Sequence, residues 1–442
     1  MKSEWREVSL GDVALVNPEV ITSAYPYERI EYIDISSVGV GEVGLAQSLN
    51  RKEAPSRAQR VVRDGDVILS TVRPNRRSFA FLKQVTPNTI ASTGFAVLRA
   101  KEKVADSRFI YCCIFDQAFT DYLESRMDGS AYPAVSASAV SEAKIQLPPL
   151  AEQKAIARIL GSLDDKIELN RRMNATLEHM AQTLFRAWFV DFEPVKAKMR
   201  PSPQPSPSKG EGAAPSSLFS PRDGAAPSSL PSPFEGEGLG VRDIAALFPS
   251  EWESSTRLIP KGWEVGVVSD LADVTGGKQL HASQISDSGA VPVYGGNGIM
   301  GFTTQSNANP FAINFGRVGA YCGNFYWSHK SSWINNNASL VKQKDEKDFC
   351  FVLFSLRQID INSIKKGAAQ PFVSNGDIAA QKIVIPSQDI LQRFNETALP
   401  LLQRIGLNND ESQTLARLRD ALLPRLVSGA LRVPDAMREV EV

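Results

Sequence analysis

The stretch LAEQKAIARILGSLDDKIELNRRMNATLEHMAQTLFRAWFV, residues 150 to 190, leaves this chain few ways to fold. Ile156, Leu160, Leu163, Ile167, Asn170, Asn174, Leu177, Ala181, Leu184 and Trp188 follow one another by steps of four and three. That is the seam of a coiled coil, narrower than the stripe of an ordinary surface helix. Gly161 is the one helix breaker inside it, and Pro148-Pro149 stands just ahead, where a missing N–H would have had no helical partner anyway. At about 1.5 Å per residue such a helix rises roughly 60 Å, and so narrow an apolar edge requires a partner.

The partner is in the same chain. Pro133 aligns with Pro371, a shift of 238 residues, and the register holds without a gap for nearly sixty residues. Gly129 falls on Gly367, Val135-Ser136 on Val373-Ser374, and Ile145-x-Leu147-Pro148 on Ile383-x-Ile385-Pro386. The seam itself repeats as Phe394, Ala398, Leu401, Ile405, Asn408, Ser412, Leu415, Leu422 and Leu426. Both copies carry polar seam residues at mid-length, Asn170 and Asn174 in one, Asn408 and Ser412 in the other. A buried polar layer is satisfied only against another, and antiparallel packing brings middle onto middle. The sequence therefore predicts an intramolecular antiparallel pair, with Pro400 and Pro424 kinking or ending the second helix. Two unrelated amphipathic helices in separate cores would not explain the unbroken shift.

A second repeat opens each half. Trp5-Arg-Glu-Val-Ser-Leu-Gly-Asp-Val-Ala14 matches Trp263-Glu-Val-Gly-Val-Val-Ser-Asp-Leu-Ala272, now at a shift of 258. The ends match while the interiors differ. Inside, short β-rich runs (67–72, 79–82, 95–98) precede a helical stretch from about Ser107 to Leu123, and the second half reads alike (311–315, 325–327, 338–341, then a helix from about Lys347 to Ile359). The expected organisation is α+β: an α/β domain at 1–148, a long helix at 149–195, a linker at 196–245, a second α/β domain at 246–386, a second long helix at 387–430 and a tail at 431–442. In the linker, Gly-Ala-Ala-Pro-Ser-Ser-Leu occurs at 212–218 and again at 224–230, and such Pro, Ser and Gly content cannot bury a core, so disorder is expected.

Composition excludes several classes. No run is long enough to span a membrane, and MKSEWREVSL has no apolar signal core. Cys112, Cys113, Cys322 and Cys350 lack C-x-x-C spacing and the three histidines are scattered, which argues for a reducing cytosol and against a metal site. Net charge is zero, so any affinity for nucleic acid must rest on local clusters.

The clusters lie in loops. From Arg51 to Arg77 positive charge exceeds negative, most tightly at Arg73-Pro-Asn-Arg-Arg-Ser78 directly after a strand. Arginine forks suit phosphate or the guanine edge and Asn the adenine edge, so Arg73, Asn75, Arg76 and Arg77 are candidate DNA contacts, against the plainer reading of a solvated charge run. The second half offers glycine-rich and amide-rich turns instead, with Lys278 and Gln279 after Gly276-Gly277, Arg317 and Tyr321 after Asn314, and Asn336 within Asn335-Asn-Asn337. Tyr294-Gly-Gly-Asn-Gly298 taken alone reads as a hairpin turn. Aligned by the repeat, Ser130 and Tyr132 precede one Pro-x-Val-Ser, and Lys365, Lys366 and Gln370 precede the other, so both turns are expected to face the same ligand.

Catalytic patterns are nearly missing. Gly276-Gly277-Lys278 has Ala272 where a phosphate loop needs its first glycine. Asn309-Pro-Phe311 faintly resembles the N-P-P-[FY] loop of amino-methyltransferases but lacks a proline and reads as a turn. Asp164 and Asp165 lie one step apart on a helix and face different ways.

The runs Leu147-Pro-Pro-Leu-Ala-Glu-Gln-Lys-Ala-Ile-Ala-Arg-Ile-Leu160, Leu163-Asp-Asp-Lys-Ile167, Leu184-Phe-Arg-Ala-Trp-Phe-Val-Asp-Phe192, Ile259-Pro-Lys-Gly-Trp263 and Leu418-Arg-Asp-Ala-Leu-Leu-Pro-Arg-Leu-Val-Ser-Gly429 resemble the specificity subunit of type I restriction-modification systems. The resemblance covers all but the linker, which departs from the family pattern. It implies two target recognition domains, one per half of a split double-stranded DNA sequence, related by a pseudo-two-fold through the helices, which act as spacer and as dock for two methyltransferase subunits. It implies no catalysis and no cofactor in this chain: S-adenosylmethionine for adenine methylation, and ATP and Mg for the restriction subunits that translocate DNA, belong to cytoplasmic partner chains. Arg158, Phe185, Trp188 and Phe189 carry more apolar surface than one seam needs and are expected to form partner-docking patches. The competing readings are a self-sufficient restriction or modification enzyme, and a structural rod bearing two protein-binding modules. The first requires an enzymatic core; the second predicts no salt-dependent DNA binding.

Overall fold

The computed structural model describes residues 5–127, 133–199, 246–252, 259–367 and 369–433. Of the linker expected at 196–245, residues 196–199 belong to a helix, Glu193–Met199, and 200–245, with the expected disorder, lie outside the described residues. Packing divides the chain into two compact units, residues 1–170 with 410–442 and residues 171–409.

Both long helices form, Leu150–Phe189 and Gln388–Val427, each of 40 residues. Pro149 starts the first, its carbonyl accepting from the Gln153 N–H. Within the first unit the helices run antiparallel, Asp164 meeting Arg419 at 2.9 Å and Asn170 reaching Ser412 at 3.3 Å and Glu411 at 2.9 Å. Within the second, Asn408 donates to the Asn174 side-chain oxygen at 2.8 Å and Asn174 donates to Asn409 at 2.7 Å. The polar seam residues thus pair with polar seam residues, as buried amides must. Leu163, Ile405 and Asn408 are buried, while Ile167, Leu177 and Leu415 are half-covered. Two expectations are corrected. The second helix ends at neither Pro400 nor Pro424 but runs on to Val427; at Pro400 the burial of Phe394, Ala398, Leu402 and Ile405 in the second unit's core holds it through the missing N–H. And Leu402 is fully buried where the heptad chose Leu401, since here the helix packs on its own domain as well as on its partner, which widens the apolar stripe.

Gly161 also has its reason. A Cβ there would lie 2.4 Å from the Arg108 guanidinium, which bonds the Gly161 carbonyl at 2.9 Å. The first domain's arginine lies flat on the helix at this point.

The two repeats at different shifts are the two strands of one ladder. Arg6–Ser9 pairs antiparallel with Lys144–Leu147, and Glu264–Val267 pairs in the same register with Lys382–Ile385. In each copy a one-turn helix follows, Leu10–Val13 or Val268–Leu271, with Asp12 or Asp270 accepting from the backbone N–H that precedes it. The next layer repeats too: strands 14–16, 95–100, 67–70 and 79–81 lie in the order that strands 272–276, 338–343, 313–316 and 325–327 repeat. Beyond this shared sheet the copies part, the first adding a four-stranded sheet (47–50, 29–33, 89–92, 58–61) and the second a three-stranded one (298–303, 291–295, 333–334). No helix among the described residues is long and apolar enough to cross a membrane.

Candidate nucleic-acid interface

In the first unit strand Val67–Ser70 ends in the arginine loop. Val72 bridges to Ala134, and the Arg73 N–H donates to the Pro133 carbonyl at 2.9 Å, so the loop and the Pro-x-Val-Ser turn are stitched together. The second unit repeats the stitch at the end of Ile313–Gly316: Val318 bridges to Phe372 and the Gly319 N–H donates to Pro371 at 2.8 Å. Each unit therefore presents a composite of two loops at one strand end.

The first composite is polar. Pro74–Arg76 forms a single 3-10 turn flanked by Arg73 and Arg77, both in the left-handed region (φ 50° and 53°). Asn75 and Arg76 point to solvent. Arg77 does not: its guanidinium donates to Gln117 at 2.9 Å and to the Phe115 carbonyl, and it lies over the Phe79 and Phe115 rings. It braces the loop against the domain. Ser130 and Tyr132 lie outside the described residues.

The second composite is glycine-rich and aromatic. Arg317 is half-buried, its guanidinium donating to the Asn336 carbonyl at 3.0 Å and its backbone N–H to Asn337 at 3.2 Å. Lys278 joins the same cluster through its N–H to Ile334 at 2.9 Å. Lys278, Gln279, Asn336, Lys366 and Gln370 are exposed, Lys365 half-exposed, and Tyr321 is 53% exposed. Lys366 pairs with Asp377 at 2.7 Å and holds that carboxyl below its usual range. The glycines serve loop-to-loop packing more than ligand approach, for a Cβ on Gly277 or Gly316 would sit 2.0 Å from the carbonyl carbon-oxygen groups of Asn335 and Gly296. Gly296 and Asn297 make the two-residue hairpin between strands Val291–Gly295 and Gly298–Thr303, and Asn309 to Ala312 is a turn.

Several features escaped sequence reasoning. Asn335, buried at the start of the Asn run, accepts from the Asn336 N–H at 2.8 Å, so position within the run decided between framework and surface. Phe372 was passed over because it lies inside the repeated Pro-x-Val-Ser, where the first copy has Ala134. A signal was present in the charges. From 67 to 101 and from 288 to 344 the chain carries no Asp or Glu, and these windows contain Arg73, Arg76 and Arg77 in one case and Arg317, Lys330, Lys342 and Lys344 in the other. A basic loop with no acidic neighbour in sequence suits a polyanion.

The docking expectation needs correction. Arg158 is exposed, but Phe185, Trp188 and Phe189 are 3%, 0% and 7% exposed. They are covered within the second unit by Phe351, Phe354 and Phe394, by Trp263 and by Phe248. The surplus apolar surface on that helix end is this chain's own core. Among the described residues no cluster of His, Cys, Asp and Glu is placed to hold a metal.

A duplicated α/β scaffold that offers a loop pair at the same strand end twice, with different side chains at the tips, defines an internally repeated protein with two variable loop clusters. The chain belongs to the type I restriction modification DNA specificity domain family, whose model matches residues 2–179 and 260–416. Over 97% of its length it is 27% identical to the whole of the type I restriction enzyme HindI specificity subunit of Haemophilus influenzae. Over 96% of its length it is 25% identical to 88% of the type I restriction enzyme MjaIX specificity subunit of Methanocaldococcus jannaschii. Among solved structures, the type I restriction-modification system S subunit from M. genitalium has the same fold, with a TM-score of 0.55 at 14% identity over 96% of each chain.

Proposed function

We propose that this specificity subunit reads a bipartite DNA sequence, one half with the 71–78 loop and its neighbouring turn and the other with the 317–324 loop and its own, while the antiparallel helices fix the unread gap. Two modification subunits dock on the helices, with Arg158 at one contact. Adenine methylation with S-adenosylmethionine, and ATP- and Mg-dependent restriction, are carried out by the partner chains in the cytoplasm. The observation that carries the reading is the duplicated loop pair: identical mounting in both units, dissimilar side chains at the tips. One turn of B-DNA is about 34 Å, so two half-sites separated by a few unread pairs suit two heads on paired helices.

Methylome sequencing of a host carrying the native chain and two variants tests this. Exchanging residues 1–147 for those of another family member changes one half-site and spares the other. Lengthening both helices by one turn widens the unread gap. An unchanged motif in either variant rejects the reading.

A further inference from the structure

The two heads differ in chemistry in a way the repeat makes explicit. At equivalent places the first unit has Asn75 and Ala134, the second Tyr321 and Phe372. Burial would be the ordinary fate of such rings, yet Tyr321 is 53%, Phe372 40% and Val318 40% exposed. Their backbones are not loose. Phe372 is bridged to both Val318 and Lys366, and Gly319, Gly323 and Gly367 hold the flanking turns at positive φ, where a side chain would be strained. The rings are thus held at the surface by a tied backbone, beside Arg317, Lys365 and Lys366, and Tyr321 lies within the window from 288 to 344 that has no Asp or Glu.

Resting on the reading above, we propose that Tyr321 and Phe372 determine specificity in the second half-site by apolar contact with a base in the groove, whereas the first half-site is read by polar groups. A ring fits the thymine methyl group or the face of a base, and neither contact involves counterion release. The neighbouring cations supply the salt-dependent attraction to phosphate. Discrimination and salt dependence are therefore separable in this head.

Phe372→Ala and Tyr321→Asn install the residues that the first unit carries at the same places. The full chain, assembled with its modification subunits, is titrated with duplexes bearing the native methylome motif and single-base changes in each half, at several salt concentrations. Each variant is expected to lose about tenfold or more of its discrimination at one position of one half-site, with the other half-site and the salt slope unchanged. Lys366→Ala is expected to weaken all sequences alike and to lower the slope. Unchanged discrimination in both ring variants overturns the proposal, as does a lowered salt slope or a loss of complex assembly in them. Absence of any motif-dependent binding by the native complex would instead reject the function proposed above.

Discussion

The same scaffold is fastened to its helices with different side chains in its two copies. In the first unit the fastening is aliphatic, with Ile156, Leu160, Leu422 and Leu426 in the domain core, and carries a set of ion pairs beside it: Asp165 takes Lys83 and Arg108, Asp164 takes Arg419, and Arg419 lies 4.1 Å over the Phe115 ring whose carbonyl Arg77 also grips. In the second it is aromatic, with Phe185, Trp188 and Phe189 sunk among Phe351, Phe354 and Phe394, and one ion pair, Arg357 with Glu178, at the margin. A charged contact is directional but depends on salt and pH; an aromatic one is worth more per residue and depends on neither. A shared sheet order does not entail identical energetics.

The largest break in this contrast comes from Trp188→Ala, expected to cost the second unit about 3–5 kcal/mol of stability and to be read as lost hydrogen-exchange protection there. Trp188→Phe should cost no more than about 1.5 kcal/mol, because the buried indole N–H has no partner among the described residues to lose. Arg419→Ala comes next. It strands Asp164, which is 19% exposed, and should cost the first unit about 2–3 kcal/mol in denaturant melts, whereas replacing both partners with apolar residues should cost much less.

pH sharpens the comparison further. Burial pushes the Asp165 carboxyl up, but hydrogen bonds from Arg108 and Lys83 outweigh it and hold the group below its ordinary value of 3.8. Its contribution is present above that value and is lost as pH falls through the depressed one. For Asp164 burial wins over Arg419 and the carboxyl sits high, so the folded state holds its proton longer and this group's contribution declines as pH rises across the window above 3.8. Asp165→Asn should therefore flatten the acid limb of the first unit's melting curve by up to about 1 kcal/mol, since the carboxylate is half-exposed, and Asp164→Asn should remove the opposing slope. A pH-independent first unit contradicts a contribution from these ion pairs. The smallest expected change is in Asn174→Leu with Asn408→Leu, within about 1 kcal/mol of the native stability. It is diagnosed by blurred methylation spacing as the helices gain freedom to slip a heptad.

The helix pair was legible because its period is local and its amide layers can satisfy only each other. The domain ends were legible once the shifts of 238 and 258 are seen as two strands of one ladder. What covers Phe185, Trp188 and Phe189 was not legible: hydrophobicity says that rings are covered, but the covering residues, Phe351 and Phe394, lie more than 150 residues downstream. Arg77 shows the same limit from the polar side. As a sequence it is one more cation in a basic run, and only the fold places the Phe115 carbonyl within its reach.

The ladder of Arg6–Ser9 with Lys144–Leu147, and its twin of Glu264–Val267 with Lys382–Ile385, bring the entry and exit of each domain side by side. A module whose two ends share one hinge plate can be lifted out and another set in its place with the mount unaltered. A recombination that preserves those few matching residues keeps the mount of each domain, and on the function proposed above it would exchange one sequence preference while leaving the helices as they are.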